Sequence, residues 1–448
     1  MPTAVTETLP PIIPAPVDSP GPSFSGIVGR LTSVNVVALL AAVIAGPITA
    51  RMLGADGRGE LAAIISVLTV VPGLLDPGLA LWLARERARG GDRSELLGAV
   101  LPPAVGVSLI GVVLAYPLSE LLGQGRPVVT TFLLIGLLLM PVSVVLHVLV
   151  GLAIGESRWR LYSATRIVAT VLPVAAIVTL AVTGWLTVAT AAVAYLGGGA
   201  IGGLLILRCV RGVRRLALDR HRTRAAVAFG AKCWLGQVAG TANYRLDQVL
   251  MAGLVSSRQL GLYAIAVTVA SITHGLVLAV SAALFPRVAE GDVDLAARSC
   301  RMTVGLVGVV GAALAAASPT MVPFVFGGEF RDAVPMVIVL LLASVPLAAT
   351  VVLAAALVAT NEPGVTMRAE LFGLAVTVPA LVAFVPTTGG LGAAVISLIA
   401  YALRLAIQLR SVGRAFGAPW WSFVIPTGAD VGWLRDRVLL RLRSARRS

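Results

Sequence analysis

Ionisable side chains are scarce in this 448-residue chain, so their placement is informative. The richest run is 232–248, where Lys232, Gln237, Asn243, Tyr244, Arg245, Asp247 and Gln248 interrupt an apolar stretch. Lys232, Gly236, Gly240, Asn243 and Asp247 follow one another at intervals of 4, 4, 3 and 4, which puts them on one face of a helix. A stripe that is small or polar throughout suits a wet cavity rather than lipid. Arg245 points away from that stripe, toward another partner or the outer membrane interface. Asp76 sits in Leu75-Asp76-Pro77-Gly78, a sequence that breaks a helix. There it either caps the next helical segment or offers a carboxylate for a proton or Na⁺. Asp76 and Asp247 are thus the two candidate ion-coupling residues. Arg166 and Arg404 fall inside apolar segments and are candidates for an anion site. Arg30, Arg85 and Arg287 fall at segment ends, where they either enforce topology or form a cationic vestibule. Guanidinium suits phosphate because its planar fork donates two parallel hydrogen bonds. His147 and His274 stand alone and read as packing residues. Cys209, Cys233 and Cys300 fit no metal spacing, and nothing supports a metal, a cofactor or a disulfide framework.

The elements carrying these residues follow from composition. The chain is 58% hydrophobic and 12% charged, and its mean hydropathy is +0.94. A water-soluble domain needs about twice that charge. Soluble enzyme, secreted scaffold and disordered chain are therefore excluded in favour of an all-α polytopic membrane protein. Apolar runs of about 20 residues cross the roughly 30 Å of bilayer hydrocarbon. Twelve are predicted: 30–53, 59–83, 96–118, 128–154, 161–183, 186–207, 227–254, 260–285, 301–325, 333–359, 366–386 and 390–412. They are too long and too uniformly apolar for barrel strands.

The net charge of +14 comes from 35 basic and 21 acidic residues, and Lys232 is the one lysine. With a cytoplasmic N-terminus, 26 basic residues fall inside and five outside, with four within the helices. The positive-inside rule then predicts both termini in the cytoplasm. Nucleic acid is not an expected partner. The basic stretch after the sixth segment divides the chain into an N-lobe (27–207), a linker (208–226) and a C-lobe (227–412). The halves resemble each other at an offset of 202: Gly59-Glu60-Leu61-Ala62 aligns with Gly261-Leu262-Tyr263-Ala264, Ser66-Val67 with Thr268-Val269, and Arg85 with Arg287. Six crossings return the chain to one side, so this is a parallel repeat, a common transporter plan. Residues 1–26 hold seven prolines and read as a disordered tail. In 413–448, Val431, Leu434, Val438 and Leu442 are flanked by arginines and read as an amphipathic helix on the cytoplasmic leaflet.

No GxxxxGK[ST] phosphate loop is present, so ATP does not drive this chain directly. Gly54-Ala55-Asp56-Gly57-Arg58-Gly59 reads as an outside turn rather than a nucleotide cradle. No long outer loop offers the acidic cluster expected of a membrane glycosyltransferase or polymerase, so no enzyme is expected.

The run from Gly46 to Glu60, GPITARMLGADGRGE, resembles the first helix and outer loop of bacterial polysaccharide flippases. These belong to the multidrug/oligosaccharidyl-lipid/polysaccharide exporter superfamily. Asn243-Tyr244-Arg245-Leu246-Asp247-Gln248, Leu260-Gly261-Leu262-Tyr263-Ala264 and Phe285-Pro286-Arg287 are similar to the opening of that family's second lobe. The resemblance covers the first, second, seventh and eighth segments. It implies a two-lobed transporter working by alternating access on a polyprenyl-diphosphate-linked oligosaccharide. It also implies membrane lipids and polysaccharide assembly proteins as partners. Arg245 and Asp247 occupy the family's polar positions in the seventh helix. Relatives export drugs with protons or sodium, or flip the lipid-linked peptidoglycan precursor. Arg30, Arg85, Arg166, Lys232, Asn243, Arg245, Asp247, Arg287 and Arg404 are the candidate substrate-binding residues.

Overall fold

A computed structural model of the chain describes residues 24–213, 215–289, 293–359, 363–416 and 419–424. The amphipathic tail helix predicted around 431–442 lies outside the described residues, as does the Pro-rich tail apart from its last three residues, which are helical.

Among the described residues there are helices, turns and no strands. In chain order the helices are α1 (Phe24–Leu75), α2 (Leu79–Ala88), α3 (Arg93–Val113), α4 (Ala115–Gly123), α5 (Pro127–Leu138), α6 (Met140–Gly155), α7 (Trp159–Val182) and α8 (Val188–Leu204). The second half continues with α9 (Arg220–Leu254), α10 (Ser257–Ala289), α11 (Val293–Phe326), α12 (Val334–Ala359) and α13 (Pro363–Phe416). The predicted apolar runs fall largely on helix, but 59–83 is broken at 76–78, 96–118 at 114 and 128–154 at 139, so the twelve spans do not map one to one. Seven described helices are long and apolar enough to cross a bilayer, or eight if α5 and α6, bent by 55°, count as one. Two of the seven, α1 and α13, have 52 and 54 residues, about 80 Å at 1.5 Å per residue. Each contains one non-helical glycine, Gly54 (φ 66) and Gly389 (φ 62), where the path turns. Only glycine adopts such a φ without strain. Helix α9 carries the polar run of 232–248, which interrupts its apolar stretch.

The breaks repeat. Adding the offset of 202 carries Gly54 to Ser256, between α9 and α10, and Thr187, the N-cap of α8, to Gly389. The gap before α5 maps to the gap before α12. Packing follows the same division. One buried apolar cluster, around Leu83, Leu97 and Val148, is built mainly from the first half and takes in Ala226 and Phe229 of α9. Another lies within the second around Leu353, Leu357 and Val412. The largest joins the halves through α1 and α10.

The crossing of α1 and α10 is reciprocal. A Cβ on Gly59 would lie 1.8 Å from the Ser257 carbonyl oxygen, and one on Gly261 would lie 2.0 Å from that of Ala55. These are two pairs of offset partners exchanging one contact, as a parallel repeat about a pseudo-twofold axis requires. Of the predicted glycine-rich turn, only Gly54 turns. Gly57 and Gly59 are helical, and their missing side chains serve close packing. The basic linker is also shorter than predicted, because α9 begins at Arg220. Asp219 caps it by accepting from His221 N (2.8 Å), and Arg222 ties it to Glu95 on α3 (2.8 Å).

Candidate functional site

Where the halves meet, α1, α8, α9 and α10 enclose a cavity of about 200 Å³. The turn at Gly54 brings both arms of α1 to it: Ala45, Gly46 and Thr49 from the first, Arg58, Ala62, Ile65 and Ser66 from the second. Three pairs of offset partners line it together: Ala62 with Ala264, Ile65 with Val267 and Ser66 with Thr268. Tyr195 of α8 and Arg245 and Gln248 of α9 complete the polar lining. Ser66 Oγ donates to Gln248 Oε1 at 2.9 Å, linking the halves directly.

Two guanidinium groups, Arg58 and Arg245, therefore share one cavity. The Arg58 Nε is buried without a hydrogen-bond partner among the described residues. No ion pair engages either arginine among them. The nearby carboxylate is occupied elsewhere: Asp247 Oδ2 accepts from the Tyr263 hydroxyl (2.5 Å) and Oδ1 from Gln248 N (2.7 Å). Two cations with no paired carboxylate make a site for an anion, and a partly desolvated guanidinium binds one more strongly than it would in water.

One end of the site is sealed by bonds between the halves. Arg126 Nη2 donates to Ala252 O (2.7 Å) and Nη1 to Ser257 Oγ (3.0 Å). Arg51 Nε donates to Val325 O (2.9 Å), and its Nη2 to Phe324 O. Glu329 Oε2 accepts from Ala55 N (3.2 Å). These clamps and the Gly59–Gly261 crossing form one lid on the Gly54 side.

The predicted site residues are dispersed. The two faces of α9 are exchanged relative to expectation. Arg245 and Gln248 line the cavity, while Asp247, about 200° around the helix from Arg245, turns to Tyr263 of α10. Lys232 is exposed on α9. Asn243 lies on α9, Arg30 on α1 and Arg287 on α10, with side chains outside the described set. Arg85 lies over the Phe229 ring (5.0 Å), at the end of α2. Arg166 is exposed on α7 against Tyr162 (5.9 Å). Arg404 is buried within the second half, ion-paired to Glu370 and 5.6 Å from the Tyr401 ring. Its charge is matched inside α13 rather than offered to the cavity. Asp76 caps α2 through Leu79 N (3.0 Å) and lies 3.5 Å from His147 Nε2, so that histidine is not isolated.

Arg58 and Tyr195 also line the cavity, and neither is among the predicted site residues. Arg58, Ala62, Ile65 and Ser66 do carry a signal, the spacing of one helical face. The glycines that flank Arg58 mask that face, because Gly57 and Gly59 have the composition of a turn but are helical.

A profile of the family described as polysaccharide biosynthesis protein matches residues 28–291, which contain the whole cavity. The chain belongs to that family. No curated protein matches it. Among solved structures, the lipid II flippase MurJ in an inward closed conformation has 12% identity and a TM-score of 0.72, covering 88% of this chain and 89% of that one. An inward-facing multidrug resistance MATE family transporter of the MOP superfamily has 14% identity and a TM-score of 0.64, covering 87% and 98%. The eukaryotic MATE transporter AtDTX14 has 14% identity and a TM-score of 0.59, covering 92% and 97%. This family member is thus a multi-pass membrane protein with a MurJ- and MATE-like transporter fold.

Proposed function

We propose that the protein flips a polyprenyl-diphosphate-linked oligosaccharide from the inner to the outer leaflet by alternating access. The observation that carries this reading is the unpaired Arg58–Arg245 couple in a cavity between two repeat-related halves. A diphosphate brings the negative charge that these cations lack, and a cationic drug would be repelled by them. The arginine excess on the linker side supports a cytoplasmic position for that end, with the sealed Gly54 end facing outward. The cavity is smaller than the roughly 300 Å³ at which ligand pockets begin. The halves must therefore separate to admit a head group, and the clamps must release to let it out. The membrane potential favours outward transfer of an anion by about 2.3 kcal/mol per charge per 100 mV.

The test is polysaccharide export in a deletion strain carrying Arg58→Ala or Arg245→Ala. Loss of a charged hydrogen bond worth roughly 1.5–3 kcal/mol predicts export reduced about tenfold or more in each, at unchanged membrane abundance. Normal export in both variants would overturn the site. The fold shared with MurJ favours one second reading, transport of the lipid-linked peptidoglycan precursor. Rescue of a strain lacking its own precursor flippase, with no effect on surface polysaccharide, would select it.

A further inference from the structure

We propose that a second, separate cleft binds the phosphate of a lipid head group at the Arg-rich end of the first half. It lies between the start of α3 and the linker, has a volume of about 700 Å³, and is lined by Arg87, Arg93, Arg211 and Arg215 with Asp92 and Ser94. Two carboxylates, Asp92 and Glu156, lie among these four arginines, and each already has partners. Asp92 Oδ1 caps α3 through Ser94 N (2.8 Å) and Glu95 N (3.3 Å). Glu156 uses a single oxygen, Oε1, for the Nε of both Arg87 and Arg93. Arg211 and Arg215 have no ion pair among the described residues. Four guanidinium groups thus meet too little negative charge, in a space sized for a phosphoester and its glycerol.

The cleft is built rather than incidental. Ser94 Oγ donates to Arg215 O (2.5 Å), and Ala217 N donates to Ser94 O (3.3 Å), which pins the linker to α3. Its level points to lipid. Glu156 also meets Arg158 at 3.8 Å, directly before Trp159, whose ring packs edge-on to Tyr162. Such aromatic pairs mark the membrane–water boundary. The exposed apolar face of α3 at Val105, Leu109 and Ile110 begins about 18 Å further along the helix. A phosphate held here would tie the linker, and with it the start of α9, to the first half. This site is independent of what the central cavity carries.

Full-length protein in phosphatidylcholine nanodiscs, with and without phosphatidylglycerol, provides the test. Retained lipid is read by native mass spectrometry and stability by melting temperature. The wild type is expected to retain phosphatidylglycerol and to melt higher in its presence. Each arginine near an anionic surface contributes about fivefold, so Arg211→Ala with Arg215→Ala should weaken retention roughly twenty- to thirtyfold. The pair should melt as wild type in pure phosphatidylcholine. Arg224→Ala, an exposed arginine outside the cleft, should change nothing. If pyrophosphate in pure phosphatidylcholine gives the same Arg211- and Arg215-dependent stabilisation, the phosphate site stands and its source is soluble. Equal retention by wild type and the double variant, or equal loss in Arg224→Ala, would overturn the proposal.

Discussion

At the scale of single residues, the chemistry rests on which charges are matched. Arg404 has Glu370, Arg222 has Glu95 and Arg126 has backbone carbonyls, whereas Arg58 and Arg245 have none of these among the described residues. Arg58→Lys should therefore keep part of the transport that Arg58→Ala loses, since the charge stays but the fork does not. Asp247 and Tyr263 behave as one unit. Tyr263→Phe should destabilise the purified protein by about 1–3 kcal/mol, read as a lower melting temperature, because Asp247 loses its donor. Adding Asp247→Asn to Tyr263→Phe should cost less than the sum of the single effects. Strict additivity in that cycle would show that the two do not interact. The sequence reading picked out Arg245 and Asp247 but not their division of labour. Their two-residue spacing puts them on opposite sides of α9, and no local pattern says which side faces the cavity.

At the scale of elements, the decisive residues are the glycines at turns and crossings. Gly59→Ala and Gly261→Ala would each drive a methyl into a carbonyl oxygen of the opposite half. Both should lower the melting temperature and loosen the seal. Gly106→Ala on α3 is the control: nothing lies within 4 Å of its added Cβ. It should be neutral or gain up to about 1 kcal/mol from helix propensity. If Gly59→Ala melts like Gly106→Ala, the crossing is not as tight as described. Helix identity was legible in the apolar runs, and so was the break at Asp76-Pro77-Gly78. Its histidine neighbour was not, because Asp76 and His147 are brought together by the packing of α6 against α2, the helix that Asp76 caps.

At the scale of the whole molecule, transport requires the seal to open. Arg51, Arg126 and Glu329 each bridge the halves with one or two bonds, few enough to exchange during a cycle. Arg126→Ala combined with Glu329→Gln should shift the population toward an outward-open state. With Ala62→Cys as reporter in the cavity wall, an impermeant maleimide added outside should label the double clamp variant several-fold faster than the background that keeps Arg126 and Glu329. Equal rates would mean that the lid is held by the glycine crossing and apolar packing alone.

The sequence by itself determined the solvent, the helices and the repeat. Too little charge for water leaves only lipid, a backbone in lipid must satisfy its hydrogen bonds within helices, and the offset of 202 is written in the residues of both halves. Only the tertiary structure decided which face of α9 looks inward, that Arg58 leaves its glycine-rich run to join Arg245, and that Arg404 is neutralised by Glu370. Those outcomes depend on partners from distant segments. Hydropathy fixes that a helix is buried, but nearly uniform apolarity leaves its rotation to packing against its neighbours.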